Sequence, residues 1–221
     1  LVTAKQFTVT NDYVQLQVEF PLKVISSAVH NAGMGWYNHF LNRSISPDYN
    51  IEDVKEETVQ FLVERDFSLT NTVVMLTAVE ANLVAIRSFN HERFSITVAV
   101  TAGVGNAVDV TRTYERQEAA YIGTINTWVI VNGKLSDEAF YQAMITATEA
   151  KTKALTEEEI RDVQTNTIAT GTATDSLLIA ATQHGEEMPY AGPITDVGKP
   201  IGHGVFETTV EAIRKYKQSK N

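Results

Sequence analysis

The stretch Phe7 to Phe20, FTVTNDYVQLQVEF, carries apolar residues at 7 and 9 and again at 14, 16, 18 and 20, with Asn11-Asp12 between the two runs. That two-residue period is the mark of half-buried strands, and the polar pair is a compact turn, so the segment predicts a β-hairpin. Working outward, Leu22 to Ser27 reads as a third strand. His30 to Trp36, HNAGMGW, holds two glycines and no clear period, which reads as a loop on the ligand side. Asp53 to Arg65 puts Val54, Phe61 and Leu62 on one helical face. Its acids Glu52, Asp53, Glu56 and Glu57 fall in the first turns, where the helix dipole favours them. Strands follow at Val73 to Ala78, Leu83 to Phe89 and Phe94 to Thr101, joined by short polar turns that suit antiparallel pairing. A further strand, Tyr121 to Val131, ends at Asn132-Gly133.

The best-marked helix begins at Asp137-Glu138 and lines Ala139, Phe140, Ala143, Met144, Ala147 and Ala154 along one stripe. At about 100° per residue, Glu149 falls opposite Phe140, whereas Lys151 falls within about 20° of it, inside the buried stripe. A lysine there either snorkels to water from near the helix end or points its ammonium at a buried acid or a substrate. Thr156 to Glu159 fits a capping box opening a short helical turn, and Val205 to Tyr216 predicts a terminal helix with Phe206, Val210 and Ile213 inward. Antiparallel strands first, then strands interleaved with helices, predict an α+β fold: one domain over residues 1–221, a mixed, largely antiparallel sheet with packed helices.

Between those helices lies TNTIATGTATDSLLIAAT, Thr165 to Thr182. It sets one carboxylate, Asp175, between a polar loop with Thr170, Gly171, Thr172 and Thr174 and the apolar run Leu177 to Ala181. Small hydroxyls and a glycine let a backbone approach a ligand closely, and an acid at a loop-to-strand junction can act on it. Similar polar loops follow other strands: Thr101 with Asn106, Thr124 with Asn126, and Tyr190 to Asp196. Each alone is a turn satisfying its own backbone; converging at one sheet edge, they form a polar-lined pocket.

Composition narrows the function classes. With 221 residues, 43% hydrophobic and 20% charged, the chain has the profile of an ordinary globular fold with one substantial core. A net charge of −9 with scattered basic residues argues against a nucleic-acid partner. Absent cysteine removes disulfides, thiolate metal sites and a cysteine nucleophile. No apolar run approaches the roughly 20 residues of a membrane span. The start at Leu1, polar by Lys5 and Gln6, is not a signal peptide, and the missing Met reads as a start inside a longer precursor. The cytoplasm is the expected compartment, and a homo-oligomer is allowed. Gly103-Val104-Gly105-Asn106 lacks the third glycine of a dinucleotide fingerprint, and Gly192 to Lys199 lacks P-loop spacing. The five histidines show no short ligand spacing, so no protein-bound metal is expected; His30 and His203 stand out for their neighbouring glycines. There is no G-x-S-x-G elbow.

Taken in order, TAGVGNA (Thr101 to Ala107), IGTINTWVI (Ile122 to Ile130), TATEAKTKAL (Thr146 to Leu155), the Thr165 segment and MPYAGPITDVGKPIG (Met188 to Gly202) resemble the adenosylcobinamide amidohydrolase family. LKVISSAVHNAGMGW (Leu22 to Trp36) and VVMLTAVEANL (Val73 to Leu83) look like that family's opening half, so the resemblance covers about residues 20 to 215. It implies hydrolysis of the amide between the aminopropanol group and the corrin side chain of adenosylcobinamide, giving adenosylcobyric acid and 1-amino-2-propanol in corrinoid salvage. The substrate is a corrinoid that brings its own cobalt, so no cofactor of the protein is implied. Such an amide-rich ligand calls for Asn, Thr and backbone groups.

Two schemes fit amide cleavage. In one, Asp175 activates water, Asn106 or Asn126 holds the oxyanion, and Lys151 tunes the acid or protonates the amine. In the other, Thr170 or Thr172 is the nucleophile and Lys151 its base. Thr124, His30, His203 and the aromatics Trp36 and Tyr190 complete the expected substrate contacts, with Trp36 and Tyr37 able either to cover the macrocycle or to pack in the core. A non-catalytic corrinoid binder and an amidase of another amide are the competing functions.

Overall fold

Alternation in the first hairpin buries Val14 and Leu16 on one face of a strand that continues much further than a hairpin arm. The computed structural model describes residues 1–46, 53–114 and 123–220. In it β1 (Phe7–Val9) pairs with β2 (Tyr13–Ser26) in the register Phe7↔Leu16 and Val9↔Val14. Leu22 to Ser26 is therefore not a third strand but the far half of β2. Between the halves the register against β3 (Gly33–Ser44) slips from Gln17↔His39 to Leu22↔Tyr37. Pro21 lies in this bulge, where its missing N–H is tolerated, and Phe20 is turned out to solvent instead of continuing the inward alternation.

The expected glycine loop His30 to Trp36 is mostly strand: Gly33 to Trp36 pair with Ser26 to Lys23. Its partner strand, not its own side-chain pattern, supplies the order. Helix α1 (Val54–Glu64) starts where Asp53 caps the N–H groups of Lys55 and Glu56; Glu52 lies outside the described residues. Strand β4 (Thr72–Thr77) runs parallel to β3, not antiparallel to its successor. β5 (Ala85–Asn90) and β6 (Ser95–Ala102) do pair antiparallel, β7 (Ala107–Val108) is a short ribbon arm, and β8 (Ile125–Asn132) lies antiparallel to β6. Tyr121 and Ile122, expected to open that strand, lie outside the described residues.

After β9 (Lys134–Leu135), Ser136 caps helix α2 (Asp137–Glu157) by accepting the Ala139 N–H. The expected capping box at Thr156 does not form, because α2 runs through it and the Thr156 hydroxyl donates back to the Thr152 carbonyl. β10 (Gly171–Thr172) pairs with β7, and β11 (Ser176–Ala181) lies parallel to β8 and antiparallel to β2. β12 (Glu187–Met188) joins β9, and α3 (Gly198–Ser219) closes the described chain. α3 starts seven residues before the expected Val205. A side chain at Gly198 would meet the Gly192 carbonyl oxygen at 1.8 Å, so only glycine lets the helix begin there.

The main sheet has the order β4-β3-β2-β11-β8-β6-β5, with β1 beside β2. It folds back on itself. Met75 of β4 accepts from the Trp128 indole of β8 at 3.2 Å, and Asn42 of β3 bonds to both Asn126 of β8 and Thr101 of β6. One core, with Leu16, Val24, Phe40, Trp128 and Leu178, fills the space between the two halves. Outside it, Phe61 and Leu62 of α1 cover Leu41 and Val74, while α2 and α3 cover Ile96, Val98, Val129 and Ile179. The α+β expectation of a mixed, largely antiparallel sheet with packed helices holds.

Candidate active site

The parallel pair β8 and β11 is joined by a crossover through α2, which brings three things to one end of the sheet: the starts of both strands, the last turns of α2, and the close of β2. Asp175, immediately before β11, meets Lys151 of α2 there. Lys151 donates to Asp175 Oδ2, and the two side chains are 14% and 17% exposed. The lysine in the buried stripe thus reaches an acid. Asp175 accepts three further hydrogen bonds: from the Thr172 hydroxyl at 2.6 Å and the Ile125 N–H at 3.0 Å on Oδ1, and from the Thr172 N–H at 3.2 Å on Oδ2. A carboxylate has about four lone-pair sites, and all four are used. Gly171 lies against the pair, since a Cβ there would stand 2.5 Å from Asp175 Oδ2 and 2.9 Å from Lys151 Nζ.

Two cavities meet at this pair, and a third adjoins one of them. One of about 470 Å³ is lined by Thr148, Lys151, Thr152 and Thr170 to Ala173 with Asp175, together with Val108, Val110 and Thr113. A second, of about 250 Å³, shares Thr148, Lys151 and Asp175 and extends to Ser27, Thr127 and Ser176. A third, of about 370 Å³, shares Ser27 and Ser176 and continues past Thr124 and Thr174 to Val29, Leu76 and Ala78.

Of the residues expected to form a site, Asp175, Lys151, Thr172, Thr170 and Thr124 come together. The Thr170 hydroxyl is directed away, accepting from the Val110 N–H at 3.0 Å and lying 3.3 Å from the Val108 carbonyl. Thr124 donates to the Thr174 carbonyl at 2.7 Å and so holds the loop before Asp175. Asn126 and Asn106 are adjacent but buried. The Asn126 amide donates to Asn42 and to the Leu76 carbonyl, and the Asn106 amide donates to the Gly123 carbonyl.

The remaining four stand apart. His30 bonds to the Leu69 carbonyl. Trp36 lies on β3 opposite Lys23, whose ammonium pairs with Asp137 at the other end of α2. Tyr190 precedes Ala191, which is tied to Gln142 and Thr146 in the first half of α2. His203 packs edge-on against Phe89 under α3. Three of the four polar loops converge, and the loop from Tyr190 to Asp196 does not. Ser27, Ser176, Thr148 and Thr152 line the cavities without having been singled out, being common polar residues inside the segments that carry the family resemblance.

Among the described residues no group of three or more His, Asp or Glu is placed to hold a metal ion, and no helix is long and apolar enough to cross a membrane.

Comparison with known proteins addresses the chemistry. The model of a family described as adenosylcobinamide amidohydrolase matches residues 1–221. An adenosylcobinamide amidohydrolase of Methanosarcina mazei is 30% identical over 181 residues, covering 80% of this chain and 83% of that protein. An uncharacterized protein of Methanocaldococcus jannaschii is 38% identical over 100 residues, 45% of this chain and 39% of that one. Among solved structures, an L-aminopeptidase D-Ala-esterase/amidase of Ochrobactrum anthropi covers 95% of this chain and 82% of its own at 11% identity, with a TM-score of 0.49. The full-length family match and the long alignment to the Methanosarcina mazei protein establish that this chain, an amide-cleaving hydrolase, belongs to the adenosylcobinamide amidohydrolase family.

Proposed function

We propose that the protein hydrolyses the amide between the aminopropanol arm and the corrin side chain of adenosylcobinamide, releasing adenosylcobyric acid and 1-amino-2-propanol for corrinoid salvage in the cytoplasm. Family membership supports the substrate; the observation that carries the chemistry is the 2.6 Å hydrogen bond from Thr172 Oγ1 to Asp175 Oδ1, with Lys151 on the other carboxylate oxygen. In this reading residues 1–221 act as one catalytic domain, no cofactor of the protein enters, and the cobalt arrives with the substrate.

The arrangement favours Thr172 as nucleophile over Thr170, whose hydroxyl is engaged with the Val108–Val110 backbone. Thr172 Oγ1 attacks the amide carbonyl carbon and passes its proton to Asp175. Lys151 has three protons, one of them committed to Asp175; it supplies positive charge beside the developing oxyanion and a proton to the departing amine. Expelled 1-amino-2-propanol leaves an ester on Thr172. Water, deprotonated by the now neutral Lys151, then attacks that ester; adenosylcobyric acid is released and Asp175 returns its proton to Thr172 Oγ1, restoring the threonine. Asn106 and Asn126, buried and bonded within the fold, position the loops in this scheme and do not touch the substrate.

Release of 1-amino-2-propanol from adenosylcobinamide, followed by chromatography and mass, tests the reading. The native protein should produce it in the presence of a chelator. Thr172→Ala and Asp175→Asn should each slow it at least 1000-fold with the circular dichroism unchanged, and Thr172→Ser should retain measurable turnover. Turnover by Thr172→Ala close to native would replace the threonine with a water activated directly by Asp175. Binding without release would mark a non-catalytic corrinoid binder, and neither binding nor release an amidase of another substrate.

A further inference from the structure

Among the described residues two hydroxyls, those of Thr127 and Thr209, are buried without a hydrogen-bond partner. Thr209 lies within α3 and lines none of the three cavities, whereas Thr127 forms part of the wall of the cavity of about 250 Å³ that reaches Lys151 and Asp175. The alternation of β8 sets Thr127 between Ile125 and Val129 on the face that α2 covers. The other hydroxyls of this cavity are committed to protein partners. Thr148 donates to the Met144 carbonyl at 2.8 Å and Ser176 to the Ser27 carbonyl at 3.1 Å, while Ser27 donates to Ser176 Oγ at 3.4 Å and accepts the Leu177 N–H at 3.0 Å. Burying a hydroxyl with no partner costs free energy that a valine of the same shape avoids. On a cavity wall, such a hydroxyl is satisfied by what enters the cavity.

We infer, resting on the hydrolysis proposed above, that this cavity between β8 and α2 is the leaving-group subsite, and that Thr127 Oγ1 hydrogen-bonds the hydroxyl of the aminopropanol arm and so selects hydroxylated amines. Thr172 lines the larger cavity of about 470 Å³, so the carbonyl carbon that it attacks lies on that side. Lys151, which protonates the departing amine, lines both cavities. The amine nitrogen beside that ammonium stands at the mouth of the smaller cavity, and the carbon chain it carries extends inward. Ile125, Met144, Ala147 and Leu177 give that space aliphatic walls, and Thr127 gives it one unpaired hydroxyl. A short arm with a methyl group and a single secondary hydroxyl matches this lining in size and in polarity. A site built to pair a hydroxyl rejects an analogue that lacks it, because its own polar group is then left unsatisfied.

The test compares two amides: adenosylcobinamide and the propylamide of adenosylcobyric acid, which has the same acyl side and lacks only the hydroxyl. The native kcat/KM should be higher for adenosylcobinamide by about tenfold or more. That preference should fall to near unity in Thr127→Val and persist in Thr127→Ser. Should Thr127→Val fail to fold, Thr127→Ala takes its place. Equal native rates on the two amides, or an undiminished preference in Thr127→Val, would overturn the subsite while leaving the proposed reaction in place. A native protein that cleaves neither amide would overturn both.

Discussion

At Gly171 there is no room for a methyl group: it would press on the carboxylate of Asp175 and the ammonium of Lys151 together. Asp175 is held from three other directions, so the methyl group would be relieved by swinging the flexible end of Lys151 away from it. Gly171→Ala should therefore separate the pair and cut 1-amino-2-propanol release about 100-fold or more. A variant of near-native activity would show that the ion pair is dispensable. Lys151 was the one residue whose odd position was legible from period alone. Asp175 was legible from its place between a hydroxyl-rich loop and an apolar run. The histidines and Trp36 drew attention for chemistry that their type allows, yet a lone ring beside glycines carries no spacing, and the backbone directs each of these away.

Elements with their own internal signal were readable: the first hairpin, α1 with its apolar face and acidic first turns, and α2 with its apolar stripe and acidic first turn; the caps at Asp53 and Ser136 came only with the structure. Those ordered by partners were not. β3 has no alternation at Gly33 to Trp36 because β2 supplies its hydrogen bonds, and the parallel β3–β4 pairing leaves no local trace. The start of α3 was hidden by glycines whose purpose is close packing, including Gly204 against Phe89 and Ile96. For α2 the cap itself yields an expectation: Ser136→Ala removes the bond to the Ala139 N–H and should cost about 1 kcal/mol. For a chain of this size that is about 2–4 °C in melting temperature. Because Ser136 and Lys151 lie at opposite ends of the helix, turnover at 25 °C should stay within about twofold. A large loss of activity would show that α2 transmits strain along its length.

At the scale of the whole molecule, His39, Asp109 and Glu158, among the described residues, contribute to the response to acid. Burial lowers the pKa of His39 from its ordinary 6.5. Hydrogen bonds from Thr167 and Thr111 lower that of Asp109 from 3.8, against the opposing effect of burial. At Glu158, burial raises the pKa, but hydrogen bonds and charge from Lys217 and Arg214 outweigh it and bring the value below 4.5. In each case the unfolded chain binds the proton first, so the stabilisation is complete above the unfolded pKa and is lost as pH falls through the folded one. Urea midpoints should begin to fall below about pH 6.5 as the unfolded histidine protonates, and fall more steeply below about pH 4.5. Glu158→Gln should flatten only the lower part. A midpoint constant from about pH 7 to 4 would contradict the His39 and Glu158 assignments, and one that does not fall below about pH 3.8 that of Asp109.

The crossover through α2 also governs the order in which the protein acquires its parts. Ile125 and Asp175 are 50 residues apart in sequence, and they meet only when β8 and β11 lie side by side over the closed crossover. Helices form locally and early, whereas parallel pairing across such a separation is slow. During refolding from urea, helical circular dichroism should therefore recover ahead of hydrolytic activity, and simultaneous recovery would contradict this order. The working constellation would be a late product of folding, present only in chains whose distant strands have already met in the right register.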